Sequence, residues 1–316
     1  MQFSTPIPLH KSDSPIDYGS KILSLGSCFA ENMAEKLGYF KFENWVNPFG
    51  ILFHPLAINE IIHRAVFNRA FIEKDLVFHN ELWHCLDVHS DLSNASKEEL
   101  LTNLNALLTS INTQIREASH IIITYGTAWV YRHRSSDAIV ANCHKIPQGA
   151  FVKEILSVDA IEKAINETIR GIHALNPEAK IIFTISPVRH IKDGFEGNQR
   201  SKSHLIAGLH QVLDVKAEGV HYFPSYEIMM DELRDYRYYA TDMLHPSTLA
   251  IEYIWERFFF SWISPSVSVL MDEVDVLQKS LLHRPFNRDS DSFRQFELKL
   301  QNRIEAVQKQ LPGIRF

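Results

Sequence analysis

The sequence predicts an α/β protein: a parallel sheet flanked by helices, interrupted by β-hairpin insertions and followed by a helical C-terminal appendage. Three observations predict it. Four short runs, 22–25, 120–125, 180–185 and 219–223, are apolar or rich in β-branched residues, as strands buried on both faces are. Segments with the apolar period of amphipathic helices lie between them. Each run stops at a glycine, serine or proline, where the chain must turn. Strand and helix in alternation give a right-handed parallel sheet with helices on both faces.

The first strand, Ile22 to Leu25, meets Gly26-Ser27 and then Ala30, Met33, Ala34 and Leu37 at helical spacing. The order is strand, sharp turn, helix. Asn47-Pro48-Phe49-Gly50 marks a packed aromatic loop, and a strand within 43–53 stays open. Pro55 begins a helix through Ile58, Ile61, Ile62 and Val66. Residues 71–90 read as a β-hairpin turning near Asn80. Capping residues at 94–99 precede a long amphipathic helix carrying Leu100, Leu104, Leu108 and Ile111. After the strand at 120–125, residues 129–133 and 138–144 form a second hairpin around Ser135-Ser136-Asp137. Val158–Leu175 is a helix stopped by Asn176-Pro177. Residues 198–217 and 227–233 are helical, and Ser247 or Thr248 caps a helix through Ile251, Ile254, Trp255 and Phe258. The tail from Val267 to Leu311 is helical and charged, with a break at Arg284-Pro285-Phe286-Asn287. The expected division is residues 1–264 for the α/β domain and 265–316 for the appendage.

Composition narrows the function classes. Of 316 residues, 45% are hydrophobic and 22% charged, as in folded globular proteins. The net charge of -6 comes without a basic stripe, which argues against a nucleic-acid partner. No apolar run reaches the ~18 residues of a membrane span. Met1–Leu9 lacks the apolar centre of a signal peptide. Cys28, Cys85 and Cys143 are too few, and odd in number, for a disulfide framework. The expectation is a reduced, cytoplasmic protein. Its oligomeric state is not readable from the sequence.

Chemistry-bearing residues gather where strands end, the place at which open α/β sheets bind ligands. Ser27 sits in the first such turn, beside the unpaired N–H groups that open a helix. That location suits a nucleophile whose attack creates an oxyanion, and equally suits a plain N-cap. Cys28, one residue on, is a competing nucleophile or a small buried hydrophobe. Asp242 and His245 lie three apart before the last main helix. A serine nucleophile needs a base such as His, oriented by an acid; the same pair can simply cap a turn. Arg189, after Ser186-Pro187, can grip a carboxylate or phosphate or form a structural ion pair. His54, His144 and His190 follow candidate loops and are substrate contacts or packed polar groups. His79, His84 and His89 are spaced by five, a poor ligand geometry on a strand, so no metal is expected. No cofactor motif is present.

Gly26-Ser27-Cys28-Phe29-Ala30 is the motif that names the GSCFA family, which is placed beside the SGNH (GDSL-like) hydrolases. Asn47-Pro48-Phe49-Gly50, Ser186-Pro187-Val188-Arg189-His190 and Asp242-Met243-Leu244-His245-Pro246-Ser247 also resemble that family, over residues 20–260. The resemblance implies a flavodoxin-like, SGNH hydrolase-type sheet and a serine esterase. Ser27 would be the nucleophile, His245 the base and Asp242 its orienting partner. The N–H groups of Ser27 and Gly50 would hold the oxyanion, with Asn47 in the same loop. SGNH enzymes add an Asn after the third strand; here Ala128 stands in that place and cannot donate. Asn142, returning along the second hairpin, or Thr127 would replace it. The implied substrate is an acyl ester, with O-acetyl groups on a carbohydrate as first choice. An acyltransferase, or a binding module that kept the pocket without activity, are the alternatives.

Overall fold

The computed structural model describes residues 5–215, 218–287 and 289–316. In chain order the elements are β1 (Lys21–Gly26), α1 (Cys28–Tyr39), β2 (Glu43–Val46), α2 (Pro55–Val66), β3 (Leu76–His79), β4 (Leu82–Cys85) and α3 (Lys97–Glu117). Then come β5 (His120–Tyr125), β6 (Trp129–His133), β7 (Ile139–Val140), β8 (Phe151–Ile155), α4 (Val158–Leu175), β9 (Lys180–Ile185), α5 (Gly194–Asp214) and β10 (Val220–Tyr222). A short turn α6 (Ser225–Glu227) runs into a π turn at Ile228–Glu232, and α7 (Thr248–Trp262), α8 (Ser268–Leu281) and α9 (Asp291–Gln310) close the chain.

The expected α/β class is what the chain adopts. β2, β1, β5, β9 and β10 form one sheet in that spatial order, parallel throughout. Counting only these strands, the order is 2-1-3-4-5, the flavodoxin-like arrangement. Alternate residues of the central strands feed two cores, as the strand period demands. Leu23, Leu25, Ile121, Ile123, Ile181 and Phe183 face α2, α3, α4 and α5. Ile22, Ile122 and Ile182 face α1 and α7, where Phe29, Leu37, Trp255 and Phe258 complete the second core. The switch point lies between β1 and β5, whose registered pairs end at Gly26 and Thr124.

The first hairpin pairs β3 with β4. Asn80 (φ 48°) and Glu81 (φ 62°) form its turn, with both residues left-handed as a type I′ turn requires. The second hairpin is larger than the sequence predicts. β6 pairs antiparallel with β7 on one side and β8 on the other. β8 escapes the sequence reading because Lys153 and Glu154 interrupt its apolar pattern. β2 is an edge strand with little buried surface, which explains its weak signal. The helix expected at 198–217 spans Gly194–Asp214; Lys216 and Ala217 lie outside the described residues, as do Met1–Ser4 of the N-terminal segment and Arg288 of the tail. Among the described residues no helix is long and apolar enough to cross a membrane.

The α8–α9 pair has its own small core of Val274, Leu277, Ile304 and Val307. It is nonetheless seated on the main domain: the Tyr39 hydroxyl donates to Asp275 (2.8 Å), Gln278 donates to the Tyr39 carbonyl (2.9 Å), and Met271 joins the second core.

The turn after β1 is built around one glycine. Gly26 has φ 127°, a region L side chains avoid. A Cβ there would sit 2.1 Å from the Thr124 carbonyl oxygen. Gly26→Ala is therefore expected to cost about 2 kcal/mol or more, seen as a lower urea midpoint; an unchanged midpoint would contradict this account of the turn.

Candidate active site

A cleft of about 900 Å³ opens over the C-terminal ends of β1, β5 and β9. Cys28, Phe53, Thr127, Trp129, Asn142, Arg189, His190 and His245 are among the residues lining it. β1 delivers Cys28 at the first turn of α1. β5 delivers Thr127 and Trp129. β9 delivers Arg189 and His190, the second hairpin returns Asn142, and the loop before α7 brings His245.

Asp242 and His245 form a built pair. His245 Nδ1 is 2.6 Å from Asp242 Oδ2, while Asp242 Oδ1 accepts from the N–H groups of Leu244 (2.9 Å) and His245 (3.0 Å). Met243, between them, adopts φ 59°, which folds the loop tightly enough for both bonds. The His245 N–H, then its ring, then the Leu244 N–H hold the Asp242 carboxyl down to about 2. The carboxylate is thus fixed in charge and orients the ring through Nδ1, leaving Nε2 for chemistry. Arg189 anchors the loop: its N–H donates to the Leu244 carbonyl (3.1 Å) and its Nη1 to the Met243 carbonyl (3.2 Å). Its guanidinium also lies 5.3–5.6 Å from the rings of Phe195, Tyr236 and Tyr239.

The residues expected at the opposite wall divide. Ser27 caps the start of α1 by position, yet its side chain makes no cap bond. It is fully buried, its Oγ has no hydrogen-bond partner, and it does not line the cleft. Its N–H donates to the Thr124 carbonyl (3.0 Å), so that donor is occupied. In this geometry Ser27 Oγ is not presented to the cleft and its N–H is already bonded, which differs from the arrangement the resemblance implies. Gly50 is placed likewise: its N–H donates to the Asn47 carbonyl (2.7 Å), and it packs against His89 and does not line the cleft. Asn47 is a scaffold residue rather than a wall of the cleft. Its Oδ1 accepts from the Gly26 N–H (2.8 Å) and its Nδ2 donates to Glu31 (3.2 Å), which pins the turn after β1.

Thr127 and Asn142 do line the cleft. Thr127 Oγ1 is already shared with Ser201 (3.0 Å) and the Trp129 N–H (3.0 Å). Asn142 Oδ1 accepts from the His144 N–H (2.8 Å), and its amide nitrogen makes no hydrogen bond among the described residues. Ala128 is buried, with its N–H on Ser201 Oγ (2.7 Å). Asn142 is therefore the side chain with donors to spare.

The histidines separate by burial. His54 caps α2 through Nδ1 and reaches the Val140 carbonyl through Nε2 (3.1 Å); His144 Nε2 reaches the Cys85 carbonyl (2.8 Å). Burial holds both at about 4, so they are neutral struts of the hairpins. His190 has an unpartnered Nε2 and packs edge-on against Phe53; burial, then Lys202, holds it at about 3. His84 bonds Ser93 and the His79 carbonyl. Among the described residues no group of three His, Cys, Asp or Glu side chains could hold a metal ion.

Sequence reasoning missed Lys202. Its Nζ donates to the carbonyls of Gly126 (2.7 Å) and Ser186 (2.6 Å), beneath the cleft, and burial pulls it down to about 7. A signal existed: Lys202 falls in the stripe Asn198, Leu205, Leu209, Val212 that α5 buries.

A model of the GSCFA family matches residues 21–258. The chain belongs to the GSCFA family. A second model, the C-terminal domain of GSCFA domain proteins, matches residues 274–316, which covers most of α8 and all of α9. No curated protein matches this GSCFA chain. Among solved structures, an acetyl xylan esterase (Est2A) from the rumen bacterium Butyrivibrio proteoclasticus is similar at 12% identity and TM-score 0.40, covering 84% of this chain and 65% of its own. Another is similar at 16% identity and TM-score 0.39, covering 77% of this chain and 96% of its own. Likeness at that distance says nothing of the activity of this GSCFA protein.

Proposed function

We propose that this GSCFA protein hydrolyses an acyl ester in the cleft, through an acyl-enzyme formed at the first turn of α1. The observation that carries this reading is the Asp242–His245 pair. Its short Nδ1–Oδ2 contact leaves Nε2 as a base in a cleft that faces a helix N-terminus. His245 takes the nucleophile's proton, returns it to the leaving alcohol, and then activates water. Asn142 and the open N–H groups of α1 face the developing oxyanion.

The lining suggests the substrate class. Lys145, Lys153, Arg189 and Lys192 line the cleft against a single acid, Asp193, in a chain of net charge -6. Only Lys153 pairs with that acid; the other three have no carboxylate partner among the described residues. Phe53, Trp129 and Tyr131 add aromatic faces. An O-acyl ester on an acidic carbohydrate fits both features.

The test is acetate release from p-nitrophenyl acetate and from O-acetylated acidic and neutral oligosaccharides. Release that depends on His245, favours the acidic substrates and weakens with added salt is expected. Absence of release from every ester, or equal release by His245→Ala, would sink the reading.

A further inference from the structure

We propose that the nucleophile in this cleft is the thiol of Cys28, not the hydroxyl of Ser27, so that the acyl-enzyme is a thioester. The proposal rests on the ester-hydrolase reading and names its reacting atom.

Three observations separate the neighbours. Access is the first. Cys28 is half-buried and lines the cleft with His245, whereas Ser27 is fully buried and absent from the lining. In this geometry the Ser27 hydroxyl, enclosed and with no hydrogen-bond partner, is presented neither to an ester nor to a base. The second is the backbone. The Ser27 N–H is spent on Thr124, while the Cys28 N–H has no carbonyl acceptor among the described residues. A tetrahedral centre on Cys28 Sγ would therefore find an unspent N–H on the same residue, and Phe29 N–H beside it at the open end of α1. The third is charge. Burial, then Glu31, holds the thiol above its usual pKa, outweighing the Lys202 ammonium and the N–H groups of Cys28 and Phe29, which draw it down. The resting group is a thiol. It needs a base, and of the two imidazoles lining this cleft His245 has the exposed ring, whereas His190 is half-buried with its Nε2 enclosed.

The steps balance. The Cys28 S–H proton moves to His245 Nε2 as sulfur attacks the carbonyl carbon. The C–S bond forms, and the carbonyl electrons become the oxyanion. Collapse breaks the ester C–O bond, and the leaving alkoxide takes the proton from His245. Water then loses a proton to His245 and attacks the thioester. The C–S bond breaks, and the proton returns to sulfur. Ester and water give acid and alcohol, with no redox change.

Two measurements test this on the full chain. First, the protein is reacted with p-nitrophenyl acetate, quenched in acid and mapped by peptide mass. An added acetyl group on Cys28 that neutral hydroxylamine removes is expected, with Cys28→Ala losing at least about 10³-fold of turnover and Ser27→Ala still acetylated at Cys28. An acetyl group on Ser27, or Cys28→Ala retaining turnover within tenfold while folded by circular dichroism, overturns the proposal. Second, iodoacetamide alkylation is followed by peptide, because Cys143 also lines the cleft. Cys28 should react at least about tenfold more slowly at neutral pH in His245→Ala, whereas Cys143 should not change. Equal Cys28 rates overturn the pairing. Slowed alkylation with no ester turnover would keep Cys28 and His245 as a pair and reject ester hydrolysis instead.

Discussion

Asp242→Asn is expected to lower kcat/KM for ester hydrolysis by about 10³ to 10⁴ while leaving the fold intact. The geometry explains why. Asp242 Oδ1 accepts from two loop N–H groups, and an Asn carbonyl in that place can keep both. Oδ2 faces His245 Nδ1 at 2.6 Å, and there the Asn amide becomes a donor. His245 must then accept at Nδ1 and carry its proton on Nε2. That is the tautomer unable to take a proton from a nucleophile. Both side chains are substantially exposed, so the substitution should move the thermal midpoint little. Because Asp242 is held at about 2, it stays ionised above about pH 3, and the acid limb of the wild-type pH profile belongs to another group. Loss of activity within tenfold of wild type, measured on the same ester, would remove Asp242 from the mechanism.

The second large effect is on stability. His54 is fully buried, and burial holds its pKa at about 4 against 6.5 for a free ring. Between those pH values the unfolded chain binds a proton that the folded chain does not. The stability from a neutral His54 is therefore complete above about pH 6.5 and is lost as pH falls toward 4. The difference corresponds to about 3 kcal/mol. Urea unfolding of wild type and His54→Asn across pH 7 to 4 checks it. Asn can still cap α2 but cannot titrate. The variant should be less stable at pH 7, and the two curves should converge on acidification. Parallel curves would show that His54 is not the titrating strut. His54 holds the Val140 carbonyl, and the chain from Val140 leads to Asn142, so acid should also disturb the cleft wall.

Much of this architecture is legible in the sequence, and the exceptions have physical causes. β1, β5 and β9 are buried on both faces, so their apolar runs stand out. The Asn80 turn announces itself through residues that tolerate a left-handed backbone. β2 and β8 lie at edges, half in water, and carry the mixed residues that edges allow. In the site, Asp242 and His245 are close in sequence, so one turn suffices to join them. Gly50 and Asn47 are different. They belong to a resembling motif, but the Gly50 N–H closes the turn after β2 and the Asn47 side chain pins the turn after β1, and only the fold shows where those groups go. The distinction between Ser27 and Cys28 is finer still. It depends on where β1 ends and α1 begins, to within one residue, and a strand-to-helix turn sends neighbouring side chains in different directions. Lys202 escaped because a lysine is normally read as a solvated residue; the stripe it occupies on α5 was the available clue.

The Lys202 contact also constrains how the cleft can move. One ammonium joins the carbonyls that terminate β5 and β9, and the loops leaving those carbonyls carry opposite walls. Spreading the walls at the base would strand a buried cation, which is costly. The floor of the cleft is in effect a riveted seam. Above it, Lys153 of β8 pairs with Asp193 beyond β9, a half-buried ion pair that ties the rim together as Lys202 ties the floor. A cleft of fixed width should therefore tolerate the length of an acyl chain more readily than its girth.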